Sequence, residues 1–397
     1  MTRLRTLEVA AGHAASLIAT ARDTSLVTGL THNFYRYPAR FSPLFVKAAI
    51  EAFTNEGDLV LDPFMGGGTT LVEAAALGRN AVGADISSLA AFVASVKTTR
   101  YTDAELQTVR QWAVSASEAV HMRRPLDARG DDLSSQKNLD GPTTWRLRKA
   151  IGQALRTTGQ LRSQAAQNLA RCVVLKAAQS ALDGRRRPAS IRQFRTVLTR
   201  SATEMLDGAR EFQLRVAQVE AASVTCLHRT SVGLETDPRL LTLPTPRLVV
   251  TSPPYPGIHV LYHRWQVNGG KETAAPFWIA NRLDGSGEAY YAMGNRFAKR
   301  LIPYFDTLRS SLKSVAALCD PKTVVVQVVA FSEPSWQLPA YLSVAGEAGF
   351  AEETLAELRK EGDGRLWRVV PNRKWYAMRK GRTHSSNEVV LFHRLSR

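Results

Sequence analysis

Two short runs of this 397-residue chain combine side chains and backbone suited to chemistry. The first is Leu61-Asp62-Pro63-Phe64-Met65-Gly66-Gly67-Gly68-Thr69-Thr70, between an apolar run and a helical stretch from Leu71 to Leu77. Glycines at a strand-to-helix turn let the backbone bend tightly and let a ligand approach without interference from Cβ atoms, while Thr69 or Thr70 is placed to cap the helix. The next short strand, Asn80 to Ala84, ends on Asp85, where a carboxylate can accept hydrogen bonds from a ribose diol. No lysine follows the glycines, which excludes a Walker-type phosphate cradle and leaves a nucleoside cofactor without a triphosphate. The second run is Thr251-Ser252-Pro253-Pro254-Tyr255, directly after Leu248-Val249-Val250. Its prolines fix the loop and remove two amide donors, leaving carbonyl oxygens to accept from a substrate amino group, and Tyr255 adds a flat face. Taken singly, each run also reads as a tight loop with a packed aromatic.

The elements that must position these runs are legible from periodicity. An amphipathic helix is expected over 43–53, and Asp58 to Leu61 is a short buried strand that stops at Asp62-Pro63. Similar apolar runs recur at Ser223 to Leu227, Arg247 to Val250, Thr323 to Ala330 and Glu388 to Phe392, with helical stretches at Tyr304 to Leu318 and Leu338 to Ala348. Short strands separated by helices predict an α/β fold with a largely parallel sheet. The interval 101–220 has helical periodicity throughout and is read as an insertion, which divides the chain into an N-terminal extension (1–30), a core (31–100 and 221–397) and that insertion.

Composition narrows the function. With 44% hydrophobic residues the chain can bury a large core, so disorder, a disulfide miniprotein and a collagen-like fibre are excluded. The 52 Lys and Arg against 35 Asp and Glu leave a formal charge of +17. Almost all of it falls in two segments: 101–220, with 20 basic and 12 acidic residues, and 359–397, with 11 and 3. Two basic segments beside a near-neutral core point to a phosphate backbone. Cys172, Cys226 and Cys319 have no metal-ribbon or disulfide spacing, which fits a reducing, cytoplasmic compartment. The N-terminal apolar stretch is broken by Arg5, Glu8 and Arg22, so no membrane insertion is expected.

Together the two runs resemble those of the DNA amino-methyltransferases, S-adenosylmethionine-dependent enzymes that methylate the exocyclic nitrogen of cytosine or adenine. The resemblance implies a class I Rossmann-like methyltransferase core in which Asp62, Pro63, Phe64, Gly66, Gly68, Thr69 and Thr70 hold the cofactor, with Asp85 and Ile86 at its ribose. A third stretch, His32-Asn33-Phe34-Tyr35-Arg36-Tyr37-Pro38-Ala39-Arg40-Phe41-Ser42-Pro43, is similar to the family's segment over the methionine end of the cofactor and adds Tyr37, Pro38, Ala39 and Phe41. The family's third cofactor acid is matched to Asp237, with His228 as the rival nearer the strand end. The helical insertion then stands where the family places a DNA-recognition region.

The catalytic set implied is Ser252, Pro253, Pro254 and Tyr255. In the family's mechanism Ser252 and the Pro253 carbonyl accept from the target amine while Tyr255 stacks on the flipped base. Carbon-5 methylation is disfavoured because no cysteine follows a proline. Serine at the first loop position resembles the cytosine-N4 enzymes, with adenine-N6 as the alternative. Double-stranded DNA is the implied substrate, in restriction-modification or defence, with a cognate restriction endonuclease or defence-system subunit as a partner. RNA or a protein amide as substrate, and a non-catalytic DNA-binding homologue, stay open. After the loop, residues 256–267 mix aromatic and basic groups that suit stacking and phosphate contact or simple core packing, and His259 with His263 lacks a nearby third metal ligand. Residues 369–376 form a further basic-aromatic cluster.

Overall fold

A computed structural model describes residues 4–38, 41–123, 137–258, 261, 263–285, 287–370 and 386–396. Strands β1 (Arg5–Thr6), β2 (Leu59–Asp62), β3 (Asn80–Asp85), β4 (Val224–His228) and β5 (Leu248–Thr251) precede a small hairpin, β6 (Trp265–Val267) and β7 (Lys271–Thr273). Strands β8 (Val324–Ala330), β9 (Phe350–Thr354), β10 (Leu366–Val370) and β11 (Ser386–Leu395) follow. The large sheet runs β1-β9-β11-β8-β5-β2-β3-β4, with β10 paired to β11. β5, β2, β3, β4 and β8 are mutually parallel, whereas β11 is antiparallel to β8, β9 and β10. β8 reads Val-Val-Val-Gln-Val-Val-Ala and is buried throughout, as a central strand covered on both faces must be.

Helices α1 (Ala11–Arg22), α2 (Pro43–Phe53), α3 (Thr69–Ala76) and α4 (Ser88–Thr98) belong to the first half of the sheet. α2 begins where the sequence predicts, because Ser42 accepts from the Phe45 amide and Pro43 supplies a preset first turn. α3 departs from expectation: Gly68, not a threonine, holds its N-cap position, and the Thr70 hydroxyl turns instead to the Val250 carbonyl. The interval set apart in the sequence contains α5 (Asp103–Ala119), α6 (Trp145–Thr158), α7 (Gln164–Leu182) and α8 (Ile191–Val216). α5 and α8 each start in a capping box, Thr102 with Glu105 and Ser190 with Gln193. Short helices α9 (Pro238–Leu241), α10 (Ala275–Ala280) and α11 (Gly287–Tyr291) lead to α12 (Ile302–Leu318) and α13 (Pro334–Glu347).

The inserted helices do not close a core of their own. Their apolar faces share one buried cluster with Tyr35, Tyr37, Phe92, Trp265, Phe277 and Tyr291. Gln179 on α7 grips the backbone of Arg36 at both its amide and its carbonyl (3.2 and 3.0 Å), and Asp183 accepts from the Arg36 guanidinium and the Gln266 amide. The insertion is thereby bonded to the stretch beside the glycine loop. No helix among the described residues is long and apolar enough to cross a membrane.

Gly68 sits at φ +73°, and a Cβ there would lie 2.7 Å from Ala94 Cβ and 3.0 Å from Ala94 Cα on α4. Gly68→Ala combines a left-handed backbone with a contact that only helix movement can relieve, so urea denaturation should show a loss of about 1–3 kcal/mol.

Candidate active site

In a doubly wound sheet the ligand crevice lies beyond the carboxyl ends of strands where the winding direction reverses. That point falls here between β2, which hands the chain on to β3, and β5, which pairs with β8 on the other side. β2 ends at Asp62 and β5 at Thr251, so both sequence runs emerge side by side. Their ends are joined: the Thr251 hydroxyl donates to Asp62 Oδ1 at 2.6 Å, and the Phe64 amide donates to the same oxygen at 3.1 Å.

The glycine loop is set by two further contacts. Asp85, at the end of β3, accepts from the Gly66 amide (2.9 Å) and the Ser87 amide (2.8 Å), which holds its carboxylate at the cleft wall. From the other side the buried Lys97 on α4 donates to the Gly67 carbonyl at 2.7 Å. Tyr37 lies over the loop so closely that a Cβ on Gly67 would stand 3.0 Å from its own. Burial pushes both Asp62 and Asp85 up to about 6.

The cleft so formed spans about 960 Å³, counting space open to solvent. From the sequence-expected set it is lined by Tyr37, Pro38, Phe41, Asp62, Pro63, Phe64, Gly66, Thr69, Asp85, Ile86, Ser252 and Pro254. Gly68 and Thr70 stand behind this lining as supports of the loop. Ala39 lies outside the described residues, as do His259, Tyr262 and residues 371–376. Asp237 is not brought to the cleft. It caps α9 and accepts from Arg239 and Arg229 at 2.8–2.9 Å, and these guanidinium groups hold its carboxyl well below the usual range. Thr230 and Ser231, just past β4, occupy the wall where that acid was expected, and His228 is exposed with its ring at the Ile86 carbonyl.

The catalytic-loop residues divide. Ser252 and Pro254 line the cleft, but Tyr255 is 5% exposed and directs its hydroxyl inward, against the expectation of a ring presented to the cleft. That hydroxyl donates to Glu388 Oε1 at 2.6 Å and lies 3.1 Å from Ser252 Oγ, while Arg368 Nε donates to Glu388 Oε2 at 2.6 Å. Ser252 Oγ donates to the Val328 carbonyl at 3.0 Å, and Tyr304 donates to the Pro254 carbonyl at 2.7 Å. Flat surfaces in the cleft come instead from Tyr290 and Tyr291, the latter stacked on His263 at 4.8 Å. Sequence reasoning missed these tyrosines, Met293, Thr307, Lys97 and Glu388. A lysine and a glutamate inside apolar runs were the available signals. Burial pushes the thiols of Cys172 and Cys319 up to about 12 and that of Cys226 up to about 11, which leaves them poor nucleophiles.

The donor set discriminates between cofactors. Two carboxylates and no lysine or arginine line the cleft among the described residues, which repels a polyphosphate and suits a nucleoside that carries positive charge. The apolar side chains of Phe64 and Ile86 flank the place where a base would lie beside Asp85.

Such a cleft at the switch point of this sheet, with β11 antiparallel, is that of a Rossmann-like methyltransferase. Residues 21–93 match the family model described as DNA methylase. The chain is 37% identical over 78 residues to the type II methyltransferase M.MjaII of Methanocaldococcus jannaschii, covering 20% of this chain and 15% of that protein. It is 48% identical over 56 residues to the type II methyltransferase M.BsoBI of Geobacillus stearothermophilus, covering 14% and 11%. The matches thus span less than a fifth of either relative. A solved S-adenosylmethionine-dependent methyltransferase from Agrobacterium tumefaciens is 11% identical, covers 91% of this chain and 64% of its own, and has a TM-score of 0.33. Residues 21–93 are thus similar to the DNA amino-methyltransferases, enzymes whose methyl donor is S-adenosylmethionine.

Two outcomes follow from this geometry. Because Asp85 titrates near 6 instead of near 4, its charged, accepting form is lost as the pH falls through 6. Calorimetry should therefore show S-adenosylmethionine binding weakened roughly tenfold between pH 7.5 and pH 5, with a flatter profile in Asp85→Asn. Glu388→Gln leaves Arg368 buried without its carboxylate, and denaturation should show a loss of about 3 kcal/mol or more.

Proposed function

We propose that this protein transfers a methyl group from S-adenosylmethionine to the exocyclic N4 of a cytosine flipped out of double-stranded DNA, in a restriction-modification setting. The observation that carries this reading is the state of the acceptors at the loop. The Tyr255 proton goes to Glu388, and the single Ser252 proton is shared between the Tyr255 oxygen (3.1 Å) and the Val328 carbonyl (3.0 Å), so Ser252 Oγ on the cleft wall is left to act as an acceptor. The Pro254 carbonyl is occupied by Tyr304, whereas among the described residues no donor is bonded to the Pro253 carbonyl. Of the two, Ser252 lines the cleft and is the acceptor offered to a substrate amino group, while Pro253 is buried outside the lining.

An aromatic amine is a poor nucleophile because its lone pair is delocalised into the ring. A hydrogen bond from an N–H group to Ser252 Oγ localises that pair, and a fixed acceptor costs no reorganisation during the reaction. When bound, the cofactor supplies an electrophilic methyl on a sulfonium; the surplus amine proton leaves to water. Tyr255 acts through its hydroxyl, as the brace of Ser252, and the exposed Tyr290 offers a face on which a base can stack. Serine in place of an acid at position 252 supports cytosine over adenine. The exposed Arg185, Arg186 and Arg187, on a turn bonded to the β6-β7 hairpin, supply cations for the DNA backbone.

Mass spectrometry of nucleosides from cells expressing the intact chain or Ser252→Ala tests this. N4-methylcytosine should accumulate only with the intact chain, and the purified variant should be slower by about a hundredfold or more while its cofactor affinity is unchanged. N6-methyladenine in its place would overturn the choice of target, and a variant as fast as the parent would remove Ser252 from the mechanism.

A further inference from the structure

The segment between α11 and α12, Gly294-Asn295-Arg296-Phe297-Ala298-Lys299-Arg300-Leu301, takes no part in the proposed chemistry, yet both its ends are walls of the cleft. Tyr290, Tyr291 and Met293 line the cleft before it and Thr307 after it. Its ends are pinned by left-handed backbone at Met293, Gly294, Arg300 and Leu301 (φ +61°, +129°, +49° and +51°). Within it, the Phe297 amide donates to Asn295 Oδ1 (2.9 Å), the Ala298 amide to the Asn295 carbonyl (3.0 Å) and the Leu301 amide to the Ala298 carbonyl (3.0 Å). This knot of turns lifts Phe297 into solvent, 79% exposed.

Exposed phenylalanines are ordinary, but this one has a cationic collar. The Arg296 guanidinium, paired with Glu288 of α11 at 3.2 Å, lies 4.5 Å from its ring centroid, Lys299 and Arg300 are exposed beside it, and residues 294–301 themselves hold no acid. An apolar plate ringed by cations matches stacked bases between phosphates. A base turned into the neighbouring cleft leaves a gap in the stack at that spot, and unstacking is the main cost of extrusion.

Resting on the methyltransferase reading above, we propose that Phe297 is the wedge that enters the duplex where the target base has left it, with Arg296, Lys299 and Arg300 holding the adjoining phosphates. The role is confined to duplex substrate, since a single strand has no gap to fill.

The test uses the full chain, tritiated S-adenosylmethionine, and plasmid DNA either intact or heat-denatured. Phe297→Ala should lose about tenfold or more in kcat/KM on the duplex, stay within about twofold on single strands and bind cofactor as before, while Phe297→Trp keeps the duplex rate. Equal duplex rates for Phe297→Ala and the parent would overturn the wedge, as would equal losses on both substrates. Phe297-dependent binding to phosphatidylglycerol vesicles with no change in duplex methylation would reassign the loop to a lipid surface. A parent chain that methylates neither form would instead overturn the underlying function, and the wedge with it.

Discussion

The buried hydrogen bond from Thr251 to Asp62 is the tie on which the site depends. β2 and β5 are adjacent strands whose chains depart in opposite directions, so without a link at their carboxyl ends the crevice between them would have no fixed width. Asp62 accepts from Thr251 on one side and from the Phe64 amide on the other, which fixes the take-off of both loops at once. A carboxylate is suited to this because one oxygen can serve two donors, and its burial keeps competing water away. Every distance between the cofactor half and the acceptor half of the cleft is measured from that pair.

Around the tie, the loops are held by groups that never reach the cleft. Lys97 grips the glycine loop from behind, and the Tyr255-Glu388-Arg368 chain braces Ser252. Both braces are charged groups in the interior, where an unpaired ion would be costly and a paired one is directional. Gln179 and Asp183 extend the same logic to the inserted helices, which are hydrogen-bonded to the stretch over the glycine loop. A displacement of α7 would thus be felt at Tyr37 through contiguous bonds.

The sheet strands, α2, α12 and the cleft-lining part of the glycine loop were legible because local rules govern them: apolar runs bounded by turn residues, a Ser-Pro start, glycines where no Cβ fits. What stayed hidden depends on partners distant in sequence. Asp237 is matched to the family's third acid although it lies well past the end of β4, and Arg229 and Arg239 claim it. Tyr255 belongs to the expected motif, yet its orientation is decided by Glu388, more than a hundred residues later. The two-residue β1 is too short to announce itself, and β9, which reads Phe-Ala-Glu-Glu-Thr, and β10 lack the continuous apolar run that marks β2 and β5. The shared core of the inserted helices was likewise invisible, because 101–220 looks self-contained until Trp265, Phe277 and Tyr291 pack into it.

The place of β11 in the sheet has a consequence for biogenesis. It is the last of the described strands, yet it is seated between β8 and β9 and carries Glu388. During synthesis the parallel strands can assemble first, but β8 must wait with an open edge until β11 has emerged, and such edges invite pairing with other chains. The long sequence separations of these pairings also slow the search for the native state. Because the brace of Ser252 arrives on the same strand, the Ser252 loop is locked only when the sheet is complete, and a partly made chain holds a set glycine loop without a set Ser252 loop.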